Sequence, residues 1–183
     1  MSSDSDSDDD LFMSHKAREK TSSKLQLSAA QESAENTINK QIIELQKAFI
    51  ASKDVEIVKN NSDPFKIKII TTPSRSYWKG QKIKWNLILP RDFPYSCPEV
   101  TCLTQIWHPN IDLTGKPCIS VLHKGWTPIT TLKTLISALL LLLHEPNSND
   151  SLNHQAAQEM KTDTNLFIKH IEEYNAANKS SYY

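Results

Sequence analysis

Residues 65–89 read FKIKIITTPSRSYWKGQKIKWNLIL and contain two segments in which apolar and polar side chains alternate. The first segment, 65–69, alternates apolar residues with lysines, and the second, 83–89, alternates apolar residues with lysine and asparagine. Successive side chains of a β-strand point to opposite faces, so a period of two with one apolar face predicts half-buried antiparallel strands. The stretch 74–80 supplies the turn between them.

The flanking segments extend this sheet and add helices. Further strands are predicted at 55–58 and at 99–103, the latter after a proline-rich turn. Before the strands, apolar residues at helical spacing predict an amphipathic helix with Ser33 as its N-cap. These apolar residues are Ile38, Ile42, Leu45 and Phe49.

The period returns to helical in the last third of the chain. A broad leucine face predicts a buried central helix that begins after Thr130 or Thr131 and ends before Pro146. Two helices with polar faces are predicted near 152–160 and 164–178. The order of helix, strands and helices predicts an α+β fold with an N-terminal helix, a four-stranded antiparallel sheet, a central helix and C-terminal helices.

The net charge of zero conceals an uneven distribution along the 183 residues. Residues 1–10 carry −5, residues 11–27 carry +3, and residues 28–183 carry +2. The first 27 residues are rich in Ser, Asp and mixed charge, which predicts a disordered extension before a domain that spans 28–183. The nearly neutral body argues against binding to nucleic acid or to an anionic membrane surface.

The three cysteines are too few, and odd in number, for a disulfide scaffold. No secretory apolar segment stands at the N-terminus, and the longest apolar run, 138–143, is far below the ~20 residues that cross a bilayer. We therefore expect an intracellular protein with reduced thiols.

Residues 104–131 show little regular pattern but contain Cys118 and two histidines, which suits three chemistries. A zinc site is disfavoured because every zinc-binding motif breaks at a required ligand. A hydrolase that pairs Cys118 with His108 or His123 lacks the local signatures of such enzymes. A thiol that accepts an acyl group needs only a donor for the oxyanion, such as Asn110, and a carboxylate near the incoming amine, such as Asp150.

Several spaced motifs occur together in one order along the chain. They are His108-Pro109-Asn110 with Cys118 eight residues after the Asn, Trp126-Thr127-Pro128, the turn Phe93-Pro94-Tyr95-Ser96-Cys97-Pro98, and the segment from Glu145-Pro146-Asn147 to Asp150-Ser151-Leu152. Over about residues 30–178 the chain thereby resembles the ubiquitin-conjugating enzyme family. Two departures from the family pattern are Cys97 in place of a proline and Pro117, which removes a backbone N–H just before the cysteine.

The resemblance implies roles for individual residues. Cys118 would form the thioester, Asn110 would stabilise the oxyanion and brace the loop, and Asp150 would face the incoming lysine. His108 and Pro109 would hold the turn, and Trp126 would pack the adjacent loop. Ligase contacts are implied at Tyr95, Pro128 and Ile129, and docking on the activating enzyme at Leu11, Phe12 and Lys40.

Within the family, the stretches 38–45, 102–111 and 152–157 are similar to the neddylation branch, which conjugates the modifier of cullins. Ser120 and the extension before the first helix agree with that branch. The implied partners are a ubiquitin-like modifier, its activating enzyme, a RING-type ligase and a cullin-like substrate. No metal or cofactor is expected, since ATP is used by the activating enzyme, and the expected location is the cytoplasm and nucleus. The alternatives are a conjugating enzyme for ubiquitin itself and a non-catalytic adaptor of the same fold.

Overall fold

The computed structural model describes residues 29–59, 63–122 and 124–180, and it confirms the predicted α+β architecture. The chain forms a helix, four strands, a short 3₁₀ helix and three more helices. In order these are α1 (29–49), β1 (Val55–Lys59), β2 (Lys66–Thr71), β3 (Ile83–Ile88), β4 (Glu99–Cys102), the 3₁₀ helix (Ser120–Leu122), α2 (Leu132–His144), α3 (His154–Thr162) and α4 (Thr164–Ser180).

The four strands form one antiparallel sheet in the order β1-β2-β3-β4. Ile69 pairs with Ile57 on one side and with Trp85 on the other, and Trp85 pairs in turn with Cys102. The alternating pattern of the sequence corresponds to two faces of the strand, because Ile67 and Ile69 are buried whereas the lysines beside them are exposed. The inner face of the sheet therefore forms one wall of the core.

Helix α2 contributes much of the remaining core. The Thr131 side chain caps its N-terminus by accepting a hydrogen bond from the amide of Thr134. Buried side chains of α1, α2, α3 and α4 belong to the same cluster as those of the sheet, so the domain has a single core over the described residues. The predicted leucine face is buried, whereas Leu141, on the other side of the helix, is 52% exposed.

The structure also corrects the start of α1. The helix covers residues 29–49, so Ser33 lies inside it and is not its N-cap. The Ser33 carbonyl instead accepts a hydrogen bond from the Thr37 hydroxyl at 2.9 Å. Residues 29–32, Ala-Ala-Gln-Glu, extend the helix before Ser33 because all three residue types are strong helix formers.

The remaining boundaries differ from the predicted ones by two residues or fewer. Helix α3 begins at His154 because Asn153 caps it, its side chain accepting from the amide of Ala156. The predicted N-terminal extension lies outside the described residues. Within the described part of the chain, no helix has the length and apolarity needed to span a membrane.

Two leucines of α2 provide a matched test of the core. Leu139 is fully buried and Leu141 is half exposed. We expect Leu139→Ala to lower the free energy of unfolding by about 2–5 kcal/mol, because it removes buried contacts and leaves a cavity. Leu141→Ala should change it by no more than about 0.5 kcal/mol. Urea unfolding of both variants measures the difference, and equal losses would contradict this packing.

Candidate active site

Residues 110–118 form a small hairpin that places Cys118 next to Asn110. The amide of Cys118 donates to the carbonyl of Asn110 at 2.8 Å, and the amide of Asp112 donates to the carbonyl of Lys116 at 3.0 Å. Ile111 and Pro117 face each other between these two bonds. The spacing of eight residues between Asn110 and Cys118 is therefore the length of a closed hairpin.

Pro117 fits this hairpin without leaving a hydrogen bond unmade. The bonds on either side of the Ile111–Pro117 pair are made by the neighbouring residues. Such a pair in an antiparallel ladder uses neither of its own N–H groups toward the partner strand. The departure from the family pattern noted in the sequence thus removes a backbone donor that the hairpin does not use.

The tip of the hairpin is held by Asp112 and Gly115. One carboxylate oxygen of Asp112 accepts from the amide and hydroxyl of Thr114 and from the amide of Lys116, at 2.6–2.9 Å. Burial raises the pKa of Asp112, but the hydrogen bonds lower it by a larger amount. The pKa of Asp112 therefore lies below its usual range. Gly115 has φ +88° and its carbonyl accepts from the amide of Cys102 at 2.8 Å, which attaches the tip to β4.

The side chain of Asn110 joins the hairpin to the loop that follows α2. Its Nδ2 donates to the carbonyls of Asn147 and Asp150 at 2.7 and 2.6 Å. Its Oδ1 accepts from the amide of Asn147 at 2.8 Å. Both hydrogens of the Asn110 side-chain amide are therefore hydrogen-bonded. To bind a developing oxyanion, one of them must leave its loop carbonyl or form a bifurcated hydrogen bond to the carbonyl and the oxyanion.

His108 is fully buried behind this turn. Its Nδ1 accepts from the amide of Asn110 at 2.9 Å, so the neutral ring carries its proton on Nε2, which lies 3.1 Å from the carbonyl of Leu142. The ring stacks on Trp78 at a centroid distance of 4.3 Å. Burial lowers the pKa of His108 to about 3. With both nitrogens engaged and no charge at neutral pH, this ring is not placed to act as a base for Cys118.

The three thiols differ in their surroundings. Cys102 is buried, and burial raises its pKa to about 12. Cys97 is partly buried, and its Sγ contacts the carbonyls of Pro98 and Leu122. Cys118 is partly exposed, and both burial and the negative charge of Asp150 raise its pKa. Among the three, Cys118 is the thiol that lies beside Asn110 and near a carboxylate.

A thiol with a raised pKa stays largely protonated at neutral pH. It is a weak nucleophile toward unactivated amides, unlike the thiolates of cysteine proteases, whose pKa is lowered. It can still exchange with a thioester, which is already an activated acyl group. The site therefore suits acyl transfer between thiols better than peptide hydrolysis.

Trp126 ties two loops beside the site. Its indole nitrogen donates to the carbonyl of Pro94 at 2.8 Å, and its ring lies 5.9 Å from that of Phe93. Tyr95, on the first loop, is 74% exposed, and Ile129, on the second, is 89% exposed. Pro128, next to Ile129, is also exposed. The three residues implied in ligase contact therefore lie on two loops that the Trp126 indole connects.

Other predicted site residues are not brought together here. Lys40 is exposed on α1, and Leu11, Phe12 and His123 lie outside the described residues. In the described part of the chain no group of three or more His, Cys, Asp or Glu side chains is arranged to hold a metal ion.

Sequence reasoning missed part of the framework. The Trp78 ring against His108 and the Gly115 contact with β4 join residues far apart in the chain, and no local pattern signals them. Gly115 had a weak signal, because a glycine in a short connection after Asp112 is typical of a tight turn. The backbone carbonyls of Asn147 and Asp150 carry no signal in the sequence at all.

Comparison with known proteins gives one consistent relationship. The family model described as "Ubiquitin-conjugating enzyme" matches residues 37–175. The chain is 33% identical over 112 residues to the NEDD8-conjugating enzyme ubc12 of Schizosaccharomyces pombe, a match that covers 60% of this chain and 63% of that protein. It is 30% identical over 141 residues to the NEDD8-conjugating enzyme Ubc12 of Arabidopsis thaliana, covering 77% of this chain and 76% of that one.

A solved structure extends the similarity to three dimensions. The structure of S. cerevisiae Ubc12 aligns with a TM-score of 0.69 at 26% sequence identity and covers 86% of this chain and 88% of that chain. The chain spans less than two thirds of the length of the S. pombe relative, at 63%.

Gly115 and Gly80 form a matched pair for testing the hairpin, since both have positive φ, +88° and +77°. A Cβ at Gly115 would lie 2.3 Å from the carbonyl oxygen of Cys102, whereas one at Gly80 meets nothing within 4 Å. Gly80→Ala should cost about 1–2 kcal/mol of unfolding free energy from backbone strain. Gly115→Ala should cost about 1–3 kcal/mol more, measured by urea unfolding, because the tip must leave β4. Equal costs would show that the clash relaxes freely.

His108 predicts how stability depends on pH. Its pKa is about 3 in the folded protein, whereas the pKa of a histidine in the unfolded chain is about 6.5. Between these values the unfolded chain binds a proton that the native chain does not, so stability falls as the pH drops below 6.5. The slope from this group reaches about 1.4 kcal/mol per pH unit.

We expect His108→Asn to flatten the decline in unfolding free energy between pH 7 and pH 5, because Asn can accept from the Asn110 amide but does not titrate. His144 is the control, since its pKa is also lowered, mainly by burial, but it is less buried. His144→Gln should retain most of the slope. A slope that persists in His108→Asn would contradict the assignment.

Proposed function

The chain belongs to the ubiquitin-conjugating enzyme family, and we propose that it carries a ubiquitin-like modifier as a thioester on Cys118 and transfers it to lysine side chains. The observation that carries this proposal is the hairpin geometry. It holds a partly exposed thiol against the backbone of Asn110, whose side chain is fixed beside Asp150.

In the loading step, the Sγ of Cys118 attacks the carbonyl carbon of the modifier's C-terminal residue, which the activating enzyme holds as a thioester. A new carbon–sulfur bond forms, the bond to the activating enzyme's sulfur breaks, and that sulfur leaves as a thiolate. The proton of Cys118 passes to solvent or to the leaving thiolate. The raised pKa of Cys118 is compatible with this exchange, because the leaving group is also a thiol.

In the transfer step, a lysine amine attacks the thioester carbonyl, an amide bond forms, and the Cys118 thiolate leaves. One Nδ2 hydrogen of Asn110 turns from a loop carbonyl to the oxyanion of the tetrahedral intermediate. The Asp150 carboxylate orients the incoming neutral amine and stabilises the positive charge that forms on its nitrogen during the attack, and the proton of that nitrogen then passes to solvent or to the leaving thiolate. The carboxylate also disfavours the leaving thiolate electrostatically, so Asp150 acts on the attack rather than on the departure.

The modifier we propose is NEDD8, with a cullin-like substrate and a RING-type ligase. The similarity to proteins named NEDD8-conjugating enzymes supports this choice. For the ligase surface we propose Tyr95, Pro128 and Ile129, because these exposed residues lie on the two loops that Trp126 ties together. For the activating enzyme we propose Lys40 on α1, with Leu11 and Phe12 of the N-terminal segment.

A loading panel tests the nucleophile. The protein is incubated with ATP and, in separate reactions, with NEDD8 and its activating enzyme or ubiquitin and its activating enzyme, and adducts are separated without reductant. We expect an adduct with NEDD8 that reductant removes. Cys118→Ser should give an ester that survives reductant, and Cys118→Ala should give none. Cys97→Ser is the matched control and should load like the unaltered protein.

The outcomes separate the parts of the proposal. Loading with ubiquitin but not with NEDD8 would overturn the choice of modifier and leave the reaction standing. No adduct with either modifier would favour a non-catalytic adaptor. A reductant-sensitive adduct in Cys118→Ala would show that another thiol is the nucleophile.

A further inference from the structure

A buried carboxylate, Glu159 of α3, lies outside the groups used so far. It is 6% exposed. Its Oε2 accepts from the indole nitrogen of Trp107 at 2.9 Å and lies 2.8 Å from the Nδ1 of His170. Its Oε1 accepts from the side-chain nitrogen of Gln155 at 3.0 Å. Three partners therefore converge on one buried acid.

Glu159 stays ionised in this pocket. Burial alone would raise the pKa of Glu159, but the hydrogen bonds from His170, Trp107 and Gln155 lower it below its usual range. Taking a carboxylate out of water is costly unless such partners replace the water. A buried, fully partnered anion fixes the positions of its donors more closely than apolar packing would.

The most consequential donor is Trp107, which directly precedes the His108-Pro109-Asn110 turn. Its ring is buried and lies 5.2 Å from that of His170 and 5.4 Å from that of Tyr174. Both of these rings belong to α4. The hydrogen bond to Glu159 therefore restricts the rotation of an indole that two rings of α4 also contact.

The N-terminal end of α3 holds the same turn from a second point. The backbone amides of Leu152 and Asn153 donate to the carbonyl of Pro109 at 2.9 and 3.0 Å. Helix α3 and the residues just before it are thus hydrogen-bonded to the turn at two places, the indole of Trp107 and the carbonyl of Pro109. Asn110 follows immediately, and its direction depends on both attachments.

We infer that Glu159 is a positioning residue for the transfer reaction, acting through Trp107 to hold the Asn110 side chain in place beside Cys118. The inference rests on the proposed function, because it assigns to Glu159 an effect on thioester transfer. Glu159 touches neither the thiol nor the loop of Asp150. Its effect travels through the hydrogen bond from Trp107 and through the turn 108–110 that follows Trp107.

The variants separate the hydrogen bond from the packing. Glu159→Gln keeps the shape of the side chain, removes its charge and leaves one acceptor oxygen in place of two for the three donors, so the hydrogen bond from Trp107 is weakened. Trp107→Phe keeps an aromatic ring and removes the N–H donor. Glu172→Gln, at an exposed carboxylate of α4, is the matched control for charge removal. Thermal unfolding of each variant fixes an assay temperature at which all of them are folded.

The kinetic readout is discharge of preloaded modifier to free lysine in a single turnover. We expect Glu159→Gln to load fully and to discharge about tenfold more slowly at saturating lysine, because small misplacements of a reacting group cost large factors in rate. The lysine concentration for half-maximal rate should not change. Trp107→Phe should show the same loss, and the double variant should be no slower than either single variant. Glu172→Gln should match the unaltered protein.

A second readout does not depend on any modifier. In ¹⁵N-labelled protein the side-chain amide of Asn110, identified by its disappearance in Asn110→Asp, should exchange its hydrogens slowly, since both are hydrogen-bonded. Glu159→Gln should accelerate that exchange. Unchanged discharge and unchanged exchange in folded Glu159→Gln would overturn the inference. If the unaltered protein never loads, the proposed function fails, and the exchange rate alone decides whether Glu159 places Asn110.

Discussion

The side-chain amide of Asn110 is the link on which the geometry of the site depends. It makes three hydrogen bonds to the loop after α2, and it is buried at 3% exposure. A buried polar group left without partners costs about 1–3 kcal/mol, so the loop and the turn hold each other in place. The backbone of the same residue bonds Cys118 through its carbonyl and His108 through its amide. One residue thus joins the thiol, the buried ring and the acidic loop.

The electrostatics of the site lower the reactivity of the Cys118 thiol. Burial and Asp150 keep the pKa of Cys118 raised, so the thiol reacts slowly with weak electrophiles. In the proposed reaction, selectivity for an activated acyl group then follows from the low reactivity of the thiol itself. His108, held neutral by burial, cannot reverse this by pairing with the sulfur. The thiol is therefore less reactive in general, and in the proposed reaction it prefers acyl groups that are already activated.

How much the sequence predicted follows from the range of the interactions. The strands were predicted to within two residues because their alternation at 65–69 and 83–89 is a local consequence of one buried face. Asn110 and Cys118 were singled out by the chemistry of their side chains and by the family motif, and the hairpin of residues 110–118 brings them next to each other. Ser33 was misassigned as a cap because the helix already covers residues 29–32, which favour a helix by propensity and lack the large apolar side chains that mark its buried face. Glu159 gave no signal at all, since its partner Trp107 lies 52 residues away.

The hairpin fixes the number of residues between Asn110 and Cys118, because that number decides which face of the hairpin each side chain occupies. Side chains along its two arms alternate between faces, and the pairing of Ile111 with Pro117 fixes the phase. A single residue inserted into either arm would turn the thiol away from the Asn110 side. Two inserted residues would restore the facing but displace the tip from β4. Insertions and deletions in relatives of this chain should therefore be excluded from the two arms of the hairpin.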